Sequence, residues 1–482
     1  MIKLRDNRFG DYSRKFSRHG QKLEFQAEEE KKGKKGFSTY TLEKNADHVL
    51  SLLKNYSGDT LSKLREKSQG NLITLGRVKK ESEEDPAFFT LRAGDNNYCL
   101  ETSNLMGVLR LRDPQNGTSV QIEVHSRFDS DDRQLFLNYL LSKVFKIDFM
   151  GTALGGNDQL WDILAAILFI QKLKEAVPVG LYKEYKRFEE NDLNFRGRLD
   201  LARHLRQNYP LQDKIAYSYR AITFDNPLNH LLRSAVTVIQ RKWPELLYAD
   251  SDVRTLVDAL KNATPSWSSS NIRELLRSSI CRESLRHPFF APYYEEPRRL
   301  AKMLLEEEGF SVYSNSEDNE VSGIIFDGAW LWEEYIATIL TPLGFVHADP
   351  DNKTGGLDLG IGQLQKVYPD FYRKEGKIVL DAKYKRSATE QREDIYQVLS
   401  YALLTGSNHC GLIFPPGDEQ KEEKGIPNAF QLNIKWHSIA FPELQGDIVA
   451  FDIQLESIWD AFFFFLLKIG RASCRERVLA RV

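Results

Sequence analysis

The sequence is poor in cysteine. Cys99, Cys281, Cys410 and Cys474 are far apart and never form a C-x-x-C pair, which excludes a disulfide scaffold and a cysteine-built zinc site. The nine histidines are equally scattered. No apolar run is long enough to span a bilayer; the greasiest stretch, AFFFFLL at 461–467, is far too short, so no membrane association is expected. The opening MIKLRDNRFGDYSRKFSRHG is charged and has no apolar core of a secretory leader, so the chain reads as cytoplasmic. A G-x-x-x-x-G-K-[ST] phosphate loop is also missing, which argues against nucleotide hydrolysis by this chain. Charge of one sign is not in excess: the net charge is −2, so any contact with DNA must come from local basic faces or be shared with a partner.

What is present is a globular composition, 41% hydrophobic and 28% charged over 482 residues, too long for one compact core. The run EEEKKGKKG at 28–36 reads as a solvated loop. From about 70 to 128, FFTLRA, GVLRLR and VQIEVHSRF alternate like strands and are bounded by turn formers such as DPQNG. Helical spacing takes over at 132–145 and 160–177 and dominates to about 310. From 315 the order is helix (GAWLWEEYIATIL), glycine-rich loop (GGLDLGIG), two strand-like runs, helix (EDIYQVLSYALLTG) and strand (HCGLIFP). The fold class expected is α+β and multidomain: a β-rich unit over 1–148, a mainly helical region over 149–314 and an α/β domain with a mixed central sheet over 315–470. Residues 471–482, RASCRERVLARV without Gly470, are basic and aperiodic and read as a non-native tail.

Chemistry concentrates in YPDFYRKEGKIVLDAKYK, 368–385. KVYPDFY and KIVLDAKYK are strand-like, with RKEGK as the turn. Alternation puts Val379, Asp381 and Lys383 on one face and Leu380, Ala382 and Tyr384 on the other. Pro369 suits an edge or bulge, and such a bend would turn Asp370 towards Asp381. Two converging carboxylates repel unless a divalent cation lies between them, and a lysine at its edge can orient water or stabilise developing charge. The triplet alone is weakly specific, since D-x-K and E-x-K arise by chance.

The flanking helices add context. Upstream, Ala329, Trp332, Ile336 and Ile339 form an apolar stripe, with Glu333 on its margin and Glu334 nearly opposite, so Glu333 is the favoured helical acid. Downstream, Ile395, Leu399 and Ala402 share one face, and Gln397 and Tyr401 sit together on the opposite one with Asp394 near them. A Gln/Tyr pair there suits a wall that contacts DNA or braces the lysine.

Helix with WEEY, then YPD, then DAK, then QVLSY resembles the PD-(D/E)xK nuclease superfamily. The wider set SRFDSDDRQLFLNYLLSKVF (126–145), FRGRLDLARHLRQN (195–208), FDNPLNHLLRSAV (224–236) and IIFDGAWLWEEYI (324–336) resembles the McrC family, the nuclease subunit of McrBC-type modification-dependent restriction systems. The resemblance implies a C-terminal PD-(D/E)xK nuclease domain. Its catalytic core would be Asp370, Asp381 and Lys383, with Glu333 as auxiliary acid and Gln397 as support. Asp370, Asp381 and Glu333 would hold Mg²⁺ or Mn²⁺. It further implies double-stranded DNA as substrate, 5-methylcytosine-type marking, and an McrB-like AAA+ GTPase hexamer as partner. GTP would be hydrolysed only by that partner, whose activity this chain would stimulate. The N-terminal β-rich part would dock the partner, and nuclease domains would pair to cut both strands. Tyr401, Arg196 and Arg198 are candidate DNA or partner contacts. Two rivals remain: an assembly factor and GTPase activator without cleavage, and a stand-alone repair nuclease of the same superfamily. In DNPLN, Asn226 and Pro227 suit a helix start rather than a catalytic role.

Overall fold

The computed structural model describes residues 1–8, 13–19, 22–26, 39–42, 46–68, 71–76, 85–93, 97–113, 115–129, 135–145, 160–210, 213–248, 251–307, 321–350, 353–358, 366–375, 377–385, 392–415 and 435–440. The charged run at 28–36, the AFFFFLL stretch and the basic tail lie outside them. Two compact units divide the chain: Met1–Asn157 together with Asn319–Val482, and Asp158–Asp318.

The first unit opens with β1 (Ile2–Arg5), β2 (Arg14–His19), β3 (Lys22–Phe25) and β4 (Tyr40–Leu42). Helices α1 (Ala46–Tyr56) and α2 (Leu61–Lys67) follow, then β5 (Leu72–Leu75), β6 (Phe89–Ala93), β7 (Asn97–Thr102), β8 (Leu105–Arg112), β9 (Ser119–His125) and α3 (Leu135–Phe145). Helix α1 buries Val49, Leu50, Leu53 and Tyr56, a 3.6-residue stripe, in the same apolar cluster as Ile2, Phe16, Leu100 and Ile122.

The second unit contains α4 (Leu160–Ala176), β10 (Glu184–Asp192), β11 (Arg198–Leu199), α5 (Leu201–Gln207) and β12 (Ile215–Thr223). It continues with α6 (Pro227–Lys242), α7 (Pro244–Tyr248), α8 (Ser251–Ala263), α9 (Ile272–Arg277), α10 (Ser279–Arg282) and α11 (Ala291–Glu307). The region is helical as expected but also carries a three-stranded antiparallel sheet, β10-β12-β11. EYKRFEEND has no apolar alternation to announce it. The ribbon is held instead by its ladder and by the opposed pair Phe188 and Tyr219, with ring centroids 5.5 Å apart. Asn226 caps α6, its side chain accepting from the Asn229 N–H at 3.0 Å, with Pro227 at the first position.

The chain returns to the first unit with β13 (Val321–Asp327), α12 (Gly328–Leu340), β14 (Val346–His347), β15 (Leu357–Asp358), β16 (Lys366–Val367), β17 (Phe371–Arg373) and β18 (Ile378–Ala382). It ends its described course with α13 (Arg392–Thr405), β19 (His409–Phe414) and β20 (Lys435–Ala440). Strand β13 joins a sheet ordered β1-β9-β8-β13-β5, so residues on both sides of the 314/315 boundary pair in one sheet. Gly107 and Gly323 make that pairing close: with φ of +134° and +150°, a Cβ on either would lie 2.0 Å from a carbonyl oxygen of the facing strand. The remaining N-terminal strands form a second sheet, β4-β3-β2-β7-β6.

The sheet that matters for the site is β14-β17-β18-β19-β20. Pairs β14–β17 and β17–β18 are antiparallel, and β18–β19 and β19–β20 parallel, so the sheet is mixed as expected. One strand-level expectation is corrected. KVYPDFY is not continuous: Lys366–Val367 pairs with β15, the ribbon breaks around Pro369, and a new strand starts at Phe371. Proline lacks the N–H that a running ladder needs.

Candidate active site

Register places the two aspartates. Phe371 pairs with Leu380 and Arg373 with Ile378, so the residue before β17, Asp370, falls opposite Asp381. Opposed residues of an antiparallel pair share a face, and that is what brings the acids together. Asp370 is fixed by the backbone of the facing strand: its Oδ2 accepts the Ala382 N–H at 2.8 Å. Asp381 is fully buried, and neither of its oxygens finds a hydrogen-bond partner of sound geometry. Lys383 Nζ lies 2.7 Å from Asp381 Oδ2, a close ion pair off the hydrogen-bonding direction.

The electrostatics follow. Burial, and then the neighbouring Asp370 carboxylate, push the Asp381 carboxyl well above its usual range. Burial works against the Lys383 charge, but Asp381, together with Asp370 and Asp394, outweighs it and holds the ammonium above its ordinary pKa.

The downstream helix α13 lies beside the lysine. Val398 and Ala402 of α13 pack with Val379, Cys410 and Leu412 on the face that carries Asp381. Gln397 accepts from Lys383 Nζ at 3.0 Å and donates to the Tyr401 hydroxyl at 3.1 Å. Tyr401 is pushed above its ordinary pKa by burial and by the Asp381 and Asp370 charges. Asp394 is buried beside this group, paired with Lys385 at 2.7 Å and lying 4.0 Å from Lys383. The basic flank of the site is thus held by α13.

Helix α12 covers the other face. Its Trp332 indole reaches the Ile413 carbonyl at 3.4 Å, and Gly328 meets the Tyr384 ring so closely that a Cβ would lie 2.7 Å away. Its buried residues are Gly328, Leu331, Trp332, Tyr335, Ile336 and Leu340, whereas Ala329 and Ile339 are half-buried. The stripe is rotated from that read in the sequence, because α3 adds a second neighbour through Phe136 on Trp332 and Tyr139 on Tyr335. Glu333 and Glu334 are both half-buried. Among the described residues no three His, Cys, Asp or Glu side chains cluster as a metal centre.

Arg196 and Arg198 lie exposed in the second unit. Arg203 of the same cluster is structural, donating to Glu189 at 2.8 Å and to the Tyr217 carbonyl at 3.0 Å. No helix among the described residues is long and apolar enough to cross a membrane. Sequence reading gave no role to Ser126, Arg127 or Tyr384, which the fold brings together just behind Lys383. The available signal was Tyr384 itself, a large residue alternating to the far face of a D-x-K strand.

Known proteins place the chain. The protein family described as "McrBC 5-methylcytosine restriction system component" matches residues 100–415, more than half of the sequence. No curated protein matches it. One similar solved structure is a half-complex from a tetradecameric assembly of Thermococcus gammatolerans McrB AAA+ hexamers with bound McrC. It is 15% identical, with 87% of this chain and 96% of that chain covered, and a TM-score of 0.46. Another is the Thermococcus gammatolerans McrBC complex, 16% identical over 60% of this chain and 82% of that chain, with a TM-score of 0.27. On the family match, the chain belongs to the McrBC 5-methylcytosine restriction system component family.

Proposed function

We propose that the chain is the Mg²⁺-dependent DNA endonuclease subunit of a GTP-driven, modification-dependent restriction complex. One observation carries the reading: two aspartates opposed across β17 and β18, with the Lys383 ammonium 2.7 Å from the buried one. The donor set fits a hard divalent cation. Asp381 offers buried oxygens without sound hydrogen bonds, Asp370 is half-exposed beside them, and Mg²⁺ or Mn²⁺ needs only one or two carboxylates alongside water and phosphate. Asp370 and Asp381 would hold the ion; when bound, it lowers the pKa of water and neutralises charge on the phosphoryl group.

The chain's own groups do the rest. Lys383 stabilises negative charge developing on the phosphoryl oxygens. Gln397, tied to Tyr401, keeps the ammonium turned towards the acids. Glu333 is given no ligand role, since its helix covers the opposite face of the sheet.

Family membership and the missing phosphate loop together support a separate McrB-type AAA+ GTPase as the partner that reads the DNA mark and hydrolyses GTP. In the second unit, Tyr185, Leu199, Leu201, Leu205, Tyr209 and Ile222 are exposed around the β10–β12 ribbon and α5. Exposed apolar side chains of this kind suit a protein partner rather than DNA, and Arg196 and Arg198 are exposed in the same unit. The resemblance adds the N-terminal β-rich part as a further docking element.

The test is cleavage of methylated and unmethylated duplexes by the full chain with its partner, Mg²⁺ and GTP. Methylated DNA should be cut only with all components, and Asp381→Asn or Lys383→Ala should leave partner binding and GTPase stimulation intact while cleavage stops. Cleavage by the doubly substituted protein would show that the site is elsewhere. Cleavage by the purified chain with Mg²⁺ alone would show a stand-alone nuclease.

A further inference from the structure

Lys383 lies just beyond the last residue of β18, on backbone that belongs to no strand. Something else must fix the direction of its side chain. On one side its own N–H donates to the Ile413 carbonyl at 2.9 Å. On the other, the next residue is clamped: Arg127 Nη2 donates to the Tyr384 carbonyl at 2.8 Å. The Tyr384 ring turns to the face opposite Lys383 and is buried there. The Arg127 guanidinium lies over it at 4.7 Å, and Phe128 meets it edge-on at 4.8 Å. Its hydroxyl is 2.9 Å from Ser126 Oγ and 3.6 Å from Met106 Sδ.

We infer that Arg127 and Tyr384 are positioning residues that hold the backbone of Lys383 so that its ammonium stays on Asp381. The inference rests on the nuclease reading of the Asp370, Asp381 and Lys383 group.

Arg127 is itself fixed from the N-terminal strands. Its main-chain N–H donates to Asp6 Oδ1 at 2.6 Å, just past β1, and Nη2 also reaches Asn104 Oδ1 at 3.2 Å, just before β8. A buried arginine is costly unless its donors are matched, and an apolar pocket alone would have held a tyrosine ring. Here a guanidinium that is only 5% exposed is directed at the carbonyl of the residue that follows the lysine. Gly328 tightens the same pocket, because any side chain there would strike the Tyr384 ring. The motif at 126–129, placed far from the acids in sequence, thereby becomes the rear wall of the catalytic lysine.

The experiment measures turnover of the full chain with its partner on methylated DNA at saturating Mg²⁺. Arg127→Lys keeps a charge near Asp6 but loses the fork that spans Asn104 and the Tyr384 carbonyl. Its kcat should fall about tenfold to a hundredfold, the cost of a reacting group misplaced by about an ångström, with KM for DNA and the half-saturating Mg²⁺ concentration unchanged. Tyr384→Phe, which keeps ring and carbonyl, should retain most of the turnover. Wild-type kcat in a folded Arg127→Lys protein overturns the inference, as does a loss that appears only in KM or tracks the folded fraction. Should Arg127→Lys fail to fold, Tyr384→Leu takes its place: a loss of about tenfold in kcat supports the inference, and wild-type turnover overturns it. Lys383→Ala separates the two levels. If it still cuts, the nuclease site itself is wrong; if it is inactive while Arg127→Lys is fully active, only the positioning inference falls.

Discussion

Two antiparallel ribbons in this protein carry acids, and they treat them in opposite ways. On β10–β12 Glu189, Glu190 and Asp192 all receive donors. Glu189 takes the Arg203 guanidinium, Glu190 takes the hydroxyls of Tyr217 and Tyr219, and Asp192 shares the Tyr217 hydroxyl. On β17–β18 register sets Asp370 against Asp381, and the buried member receives only an off-axis ammonium. Satisfied acids make a stable ribbon with no chemistry of its own. Opposed acids in a dry place store repulsion that a divalent cation would relieve, so geometry rather than composition separates scaffold from site.

The sharpest way to break that comparison is to remove the opposed charge. Asp381→Asn or Lys383→Ala should lower DNA cleavage by about a hundredfold or more, measured as product formed with partner, Mg²⁺ and GTP. The metal-free Asp381→Asn protein should melt no lower than the parent, because it loses a buried charge instead of a satisfied one. A lower midpoint would mean that Asp381 is structural, like the acids of the other ribbon.

Next in size is Gln397→Ala, which frees the lysine without touching the acids. Turnover should drop about tenfold while the Mg²⁺ dependence stays unchanged. A shifted Mg²⁺ requirement would put Gln397 at the metal instead.

The pH response comes third. The Asp381 carboxyl is raised in the folded state, so the stability it contributes is fully present below its unfolded value near 3.8 and is lost as pH rises through the folded value. The metal-free protein should therefore lose part of its thermal stability on going from acid towards neutral pH, and Mg²⁺ should restore it by binding the ionised form. Calorimetry across that window with and without Mg²⁺ checks the sign; an Asp381→Asn protein should not show this component.

The smallest effect belongs to the satisfied ribbon. Tyr217→Phe leaves Glu190 with Tyr219 and deprives Asp192 of a donor, and should cost about 1 kcal/mol of stability with no change in Mg²⁺ dependence.

Local chemistry was legible in the sequence. The alternation of Val379, Asp381 and Lys383, the Gln397–Tyr401 pair four residues apart, and Asn226 with Pro227 at a helix start all depend on neighbours within one element. Less legible were features set by distant partners. The break around Pro369 separated two short strands where one was read, and the buried stripe of α12 turned because α3 packs on it. The β10–β12 ribbon escaped notice because its faces are too polar to alternate.

Sequence alone determined which side chains were on offer: a pair of acids, a lysine two places on, a glutamine and tyrosine a helical turn apart, and a family pattern that the match over 100–415 bears out. Tertiary structure decided that Asp370 stands opposite Asp381, that Trp332 of α12 reaches the Ile413 carbonyl, and that Arg127 clamps the residue behind Lys383. Strand register and burial are collective: they minimise the energy of the whole sheet and its covering helices, and no window of the chain contains all the terms.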